Sequence, residues 1–191
     1  MNTHVDSTSA GFFAPTASLR RWLTFPAGSG ALLAALLCLL AAPLSRAQLK
    51  AGDPLPDLPT FSLEGRVPSD LAGRVVVLDF WASWCGPCKA SFPALGVLQQ
   101  ELGASGVTVL GVSVDEKKAA YEGFLKKYSP PFPTVRDAEQ RLVKSVRAPK
   151  MPTTYIVDRR GTVRYVHEGF HGDASVKLLR EQVIALLAEA R

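Results

Sequence analysis

Residues 75–93 read V-V-V-L-D-F-W-A-S-W-C-G-P-C-K-A-S-F-P. From Arg74 to Phe80 the chain is nearly all apolar and rich in β-branched residues, the pattern of a strand buried on both faces. Beyond it Phe92, Leu95, Leu98 and Leu102 recur at helical spacing, so residues 86–102 read as a helix. The two cysteines, Cys85 and Cys88, fall where the strand turns into that helix. Unpaired backbone N–H groups and the positive end of the helix dipole favour an anion there. A thiol so placed ionises at ~7 or below, against ~8.5 for a free cysteine. Pro87 lacks an N–H and fits the first turn at no hydrogen-bond cost. The arrangement reads as an exposed nucleophile, Cys85, with a resolving thiol, Cys88, one turn on.

Outward from this stretch, strands and helices alternate. Val107 to Val114 is a second buried strand, and residues 116–128 return to helical spacing. Ser129-Pro-Pro-Phe-Pro must be loop. Asp137 and Gln140 resemble a capping box that opens a short helix ending at Val146. Thr153 to Val157 and Thr162 to His167 flank Asp158-Arg-Arg-Gly161 as a hairpin, and Asp173 is expected to cap a last helix. Upstream, Phe61-Ser-Leu-Glu-Gly-Arg-Val reads as a small strand-turn-strand. The expected fold is α/β: one mixed sheet with helices on both faces and an N-terminal β-hairpin extension.

The chain has 191 residues and a formal charge of +5. Residues 1–47 hold Arg20, Arg21, Arg46 and a single acid, Asp6, so residues 48–191 are left with a net charge of +3. Their basic residues come in short pairs interrupted by acids, which disfavours nucleic acid as a partner. Arg20-Arg21, the uncharged stretch from Ala27 to Leu44 and the small residues around Ser45-Arg46-Ala47 read as a signal peptide, with an uncleaved membrane anchor as the alternative. The chain thus divides into a targeting segment, 1–47, and a single domain, 48–191, that faces a periplasmic or other extracytoplasmic space. Cys38 lies in the targeting segment, so the domain keeps only Cys85 and Cys88, a pair that does not stay as idle thiols under oxidising conditions.

Other chemistries for the pair fit less well. A structural disulfide closing so small a ring restrains little unfolded-chain entropy. A zinc site completed by His167 and His171 is disfavoured by the 78 residues between Cys88 and His167, where zinc modules place about 12–15. A peroxide-reducing cysteine needs Pro and Thr or Ser where this chain has Leu78 and Ala82.

The run from Val75 to Pro93 resembles the thioredoxin superfamily. The lead-in P-L-P-D-L-P-T-F-S-L-E-G, the phrase S-D-L-A-G-R and the export signal resemble its TlpA/ResA branch of extracytoplasmic thiol:disulfide oxidoreductases. The resemblance spans residues 52–190. It implies a thioredoxin-like fold, with Pro93 kinking the active-site helix and a cis proline at Pro152. Met151 and Pro152 then pair with an extended substrate peptide, with Trp84 beside them. Asp79 matches the buried acid that takes a proton from Cys88, and Glu116 aligns with an acid that the branch places near its cysteines. Thioredoxin's lysine partner for the buried acid is missing from the strand G-V-S-V.

The resemblance implies a cofactor-free reductase of protein disulfides acting as a monomer. Its client class is apocytochrome c or copper-site assembly proteins, and its electron donor is a membrane thiol reductase of the DsbD or CcdA type. The Gly-Pro dipeptide resembles that of thioredoxin, a reductant at about −270 mV, rather than the oxidant DsbA at about −120 mV. The rival readings are a disulfide oxidase or isomerase of exported proteins and a redox-inactive binding module.

Overall fold

The computed structural model describes residues 47–189. The targeting segment lies outside the described residues, and none of the described helices is long and apolar enough to cross a membrane.

The buried run becomes β1, Val75–Trp81, in which every residue is buried. It leads into α1, Gly86–Leu102, which returns the chain to β2, Val107–Ser113, again buried throughout. β1 and β2 pair in parallel in the register Val75 with Val107 through Trp81 with Ser113. Then follow α2, Lys118–Tyr128, the short β3, Thr134–Arg136, and α3, Arg141–Val146. The expected hairpin is β4, Thr153–Val157, and β5, Val163–Glu168, and α4, Asp173–Ala188, closes the domain. The sheet order is β3-β2-β1-β4-β5, with β4 and β5 antiparallel. This is the expected mixed sheet with the thioredoxin-like topology.

Local chemistry accounts for the joints. The β4–β5 turn closes with Gly161 at φ +82°, a left-handed conformation that glycine adopts without steric cost, while the Asp158 carboxylate accepts the N–H groups of Arg160 and Thr162. Gly111 in β2 has no room for a side chain: a Cβ there would stand 3.0 Å from Trp81 Nε1 and 3.2 Å from a Thr134 methyl. That close approach lets Trp81 pack among Phe92, Tyr121 and Phe124 under the C-terminal ends of β1 and β2.

Besides β3, which the sequence reading lacks, three details differ from it. Residues 61–67 do not pair with one another. The chain there makes a 3₁₀ turn at Leu58–Phe61, and Glu64 bridges to Arg136 at the β3 edge. Both the N–H and the carbonyl of Glu64 pair with Arg136, which leaves neither for a neighbour in sequence. Farther upstream, Pro54 bridges to Thr162 at the opposite edge, so the lead-in touches both outer strands. Asp137 does cap α3, accepting from the N–H groups of Arg141 and Val143, but Gln140 turns away toward the Val114 carbonyl and the box is not reciprocal. Gly172, rather than Asp173, holds the cap position of α4, and the acid sits in the first turn, where it still suits the dipole.

Leu110 lies at the centre of the core and is fully buried. Leu110→Ala is expected to destabilise the domain by about 3 kcal/mol, from lost burial and the cavity left behind. Urea unfolding reads this as a lower midpoint at unchanged slope, and an unmoved midpoint would show that the sheet centre closes around the gap.

Candidate active site

Cys85 ends the loop that leaves β1, and α1 starts at the next residue. It occupies the N-cap position, and its sulfur accepts the Cys88 N–H at 3.2 Å. Cys85 and Cys88 are joined as a disulfide, with Cα atoms 5.3 Å apart. Cys88 is fully buried and Cys85 is 5% exposed, so the expected exposed nucleophile is in this oxidised form largely covered. Trp84, next to Cys85 in sequence, is 69% exposed and presents a large apolar surface.

β4 enters the same region from the other side. The Met151–Pro152 peptide is cis, Phe80 pairs with Thr153, and Pro152 therefore lies level with the C-terminal end of β1, where the cysteine loop begins. The Pro152 carbonyl accepts the Gly169 N–H at 2.8 Å, and Met151 is half-buried.

Asp79 is fully buried in β1. Thr154 pairs with it across the sheet and donates its hydroxyl to Asp79 Oδ1 at 2.6 Å. The second oxygen, Oδ2, has no hydrogen-bond partner. Burial pushes the carboxyl up to about 7, against the smaller lowering influence of the Thr154 hydrogen bond. A carboxyl in this setting can exchange a proton near neutral pH.

Glu116 is exposed, and the partner of its carboxylate is Gln140 at 3.4 Å. The sequence reading missed Asp115, the residue before it, which is buried and accepts hydrogen bonds from Ser83 and Ser113. It also missed Arg136, which is held by Glu64 and donates to the carbonyls of Asp115 and Glu116. A signal for Asp115 was present, since an acid that directly follows a buried parallel strand sits at the sheet end where such folds place their sites. Arg136 had none, because its strand is three residues long.

Residues 51–166 match the family model described as the AhpC/TSA family. Among curated proteins, the thiol-disulfide oxidoreductase ResA of Bacillus subtilis (strain 168) is 36% identical over 118 residues, 59% of this chain and 66% of that protein. ResA of Geobacillus thermodenitrificans (strain NG80-2) is 31% identical over 134 residues, 69% of this chain and 77% of that protein. Among solved structures, a candidate thiol:disulfide interchange protein DsbE from Chlorobium tepidum superposes with a TM-score of 0.68 at 36% identity, covering 74% of this chain and all of that one. With a disulfide-bonded cysteine pair at the head of α1 and these relatives beside it, the chain belongs to the AhpC/TSA family and, within it, to the thioredoxin-fold thiol-disulfide oxidoreductases of the ResA type.

Proposed function

We propose that the enzyme is an exported reductant of protein disulfides. The observation that carries this reading is the Cys85–Cys88 pair at the α1 N-terminus, in the same fold region as a buried Asp79 carboxyl that titrates near neutrality. In the reduced enzyme the Cys85 thiolate attacks one sulfur of a substrate disulfide, forms a mixed disulfide and releases the other sulfur as a thiolate that takes a proton. Asp79 accepts the Cys88 proton, the Cys88 sulfur attacks Cys85, and the second substrate thiol leaves. Two electrons pass to the substrate, and the enzyme is left as the disulfide seen here. Trp84, Met151 and Pro152 form the docking surface, with the peptide extended alongside Met151. Glu116 lies at the rim, next in sequence to Asp115, whose carboxylate accepts from Ser83 of the cysteine loop.

Residues 1–47 act as the export signal or anchor, and residues 48–191 work as a monomer outside the cytoplasm. Clients of the apocytochrome c or copper-site assembly class, and a DsbD- or CcdA-type membrane thiol reductase as electron donor, are the partners that suit an exported dithiol of this type. No cofactor enters the cycle.

The test is the equilibrium reduction potential of the Cys85/Cys88 pair, titrated against glutathione and dithiothreitol. A value near or below about −220 mV is expected of a reductant. A value near −120 mV would instead make the protein an oxidant of exported thiols.

A further inference from the structure

Asp115 follows β2 at the end of the sheet where β1 gives way to the cysteine loop. It is 3% exposed. A carboxylate is rarely buried to this degree unless hydrogen bonds replace its water. Three donors converge on it. The Ser83 N–H reaches Oδ2 at 2.9 Å, the Ser83 hydroxyl reaches Oδ1 at 2.8 Å, and the Ser113 hydroxyl reaches Oδ2 at 2.8 Å. The Ser113 hydroxyl also accepts the Asp115 N–H at 3.1 Å, which locks the side chain against its own backbone.

Ser83 stands two residues before Cys85, so one carboxylate holds both the backbone and the side chain of the loop that presents the nucleophile. The same seam is tied by the Val114 N–H to the Trp81 carbonyl at 2.9 Å. Behind Asp115, buried Arg136 donates to the carbonyls of Asp115 and Glu116 at 3.2 and 2.7 Å and pairs with the Glu64 carboxylate at 2.7 Å. The loop that carries Asp115 is therefore itself fixed from the side away from the cysteines. Asp79, the buried carboxyl of β1, is held by Thr154 and stays in place in both variants below, while Lys89, Glu116, Lys150 and Glu168 near the cysteine and Pro152 loops are exposed and screened by water.

We propose that Asp115 is a positioning residue for the thiol-disulfide reaction. Through Ser83 it fixes the placement of Cys85 at the head of α1, and its carboxylate opposes the build-up of negative charge on the Cys85 sulfur. The second effect disfavours the reduced form relative to the disulfide and so keeps the pair reducing. The proposal rests on the reading of Cys85 as the nucleophile.

Asp115→Asn keeps the shape but removes the carboxylate. A single amide oxygen cannot replace both acceptor oxygens, so the hold on Ser83 weakens as well. The glutathione equilibrium of this variant is expected to move about tenfold toward the dithiol, which is ~30 mV for a two-electron couple. Ser83→Ala retains the carboxylate and loses one hydrogen bond. Its potential should stay within about 10 mV of the parent, a twofold change in equilibrium at most, while kcat/KM for insulin reduction falls at least threefold. A purely structural role would lower the melting temperature of both variants and leave the potential where it was. An unmoved potential in Asp115→Asn overturns the charge effect, and unchanged turnover in Ser83→Ala overturns the positioning. If Asp115→Asn fails to fold, Ser83→Ala still decides the positioning, and Asp115→Ser, which also lacks the carboxylate, decides the charge effect by the same shift toward the dithiol. Trapping in a Cys88→Ser background separates the two layers. Adducts through Cys85 together with unmoved variants sink this inference alone, whereas adducts through Cys88 sink the reading beneath it.

Discussion

Cys88→Ser is expected to convert the enzyme into a trap. It should accumulate a mixed disulfide through Cys85 with client protein and lose catalytic turnover. Cys85→Ser should form no such adduct and should reduce insulin more than ~10³-fold more slowly than the parent, the scale set by removal of a covalent nucleophile. The asymmetry follows from placement. Cys85 is the N-cap residue of α1, on the loop side beside exposed Trp84, whereas Cys88 is fully buried one turn into the helix. A macromolecular disulfide therefore reaches the Cys85 sulfur first, and Cys88 reacts only with what Cys85 has already captured. Neither change should alter stability greatly, because a ring closed by residues three apart in sequence restrains little of the unfolded chain. Mass spectrometry of the adducts from each variant is the check. Adducts of equal yield through either cysteine would mean that the two sulfurs are equally accessible, and the assigned order of attack would be wrong.

The second large effect belongs to Asp79. Burial disfavours the charged form and pushes its carboxyl up to about 7, against 3.8 for an aspartate in water. Between these values the native state holds a proton that the unfolded state has released. The favourable contribution is thus complete below about pH 4 and is lost as the pH rises through 7. At 1.36 kcal/mol per unit the full cost above neutrality is on the order of 4 kcal/mol. Asp79→Asn carries no charge to bury and keeps an acceptor for the Thr154 hydroxyl. The variant should therefore match the parent at pH 4 and exceed it by several kcal/mol at pH 8.5. Denaturant unfolding across that range is the measurement, and parallel pH profiles for the two proteins would refute the assignment. The gain in stability should come with a loss of function. Without an acceptor for the Cys88 proton, decay of the mixed disulfide should slow by ~10²-fold and lose its dependence on pH near 7. That coupling of lower activity to higher stability distinguishes a working proton acceptor from a buried carboxyl that is merely tolerated.

Much of this was legible along the chain. A short, nearly all-apolar run rich in β-branched residues reads as a strand with both faces covered, and helical spacing after Cys85 places that cysteine at a helix head. Those two facts located the redox pair, and the resemblance of the surrounding run supplied Asp79 and Pro152. The short β3 was not legible, because three residues are too few for a period to show and Pro130, Pro131 and Pro133 come just before it. The lead-in at 61–67 misled for a related reason: its residues suit a strand, but their partner is Arg136 across the sheet rather than a neighbour in sequence.

What the sequence by itself determined is therefore everything set by local spacing: the order of strands and helices apart from β3, the helix-head cysteines and the hairpin around Gly161. Only the tertiary structure decided the links between residues far apart in the chain. Ser83 meets Asp115 across 32 positions, Glu64 meets Arg136 across 72, and Asp79 meets Thr154 across 75. Hydrogen bonds of this kind leave no periodic trace, because they depend on which sheet ends the fold brings together. Those contacts govern the site, since they set the charge, burial and rigidity around a cysteine pair that the sequence could only locate.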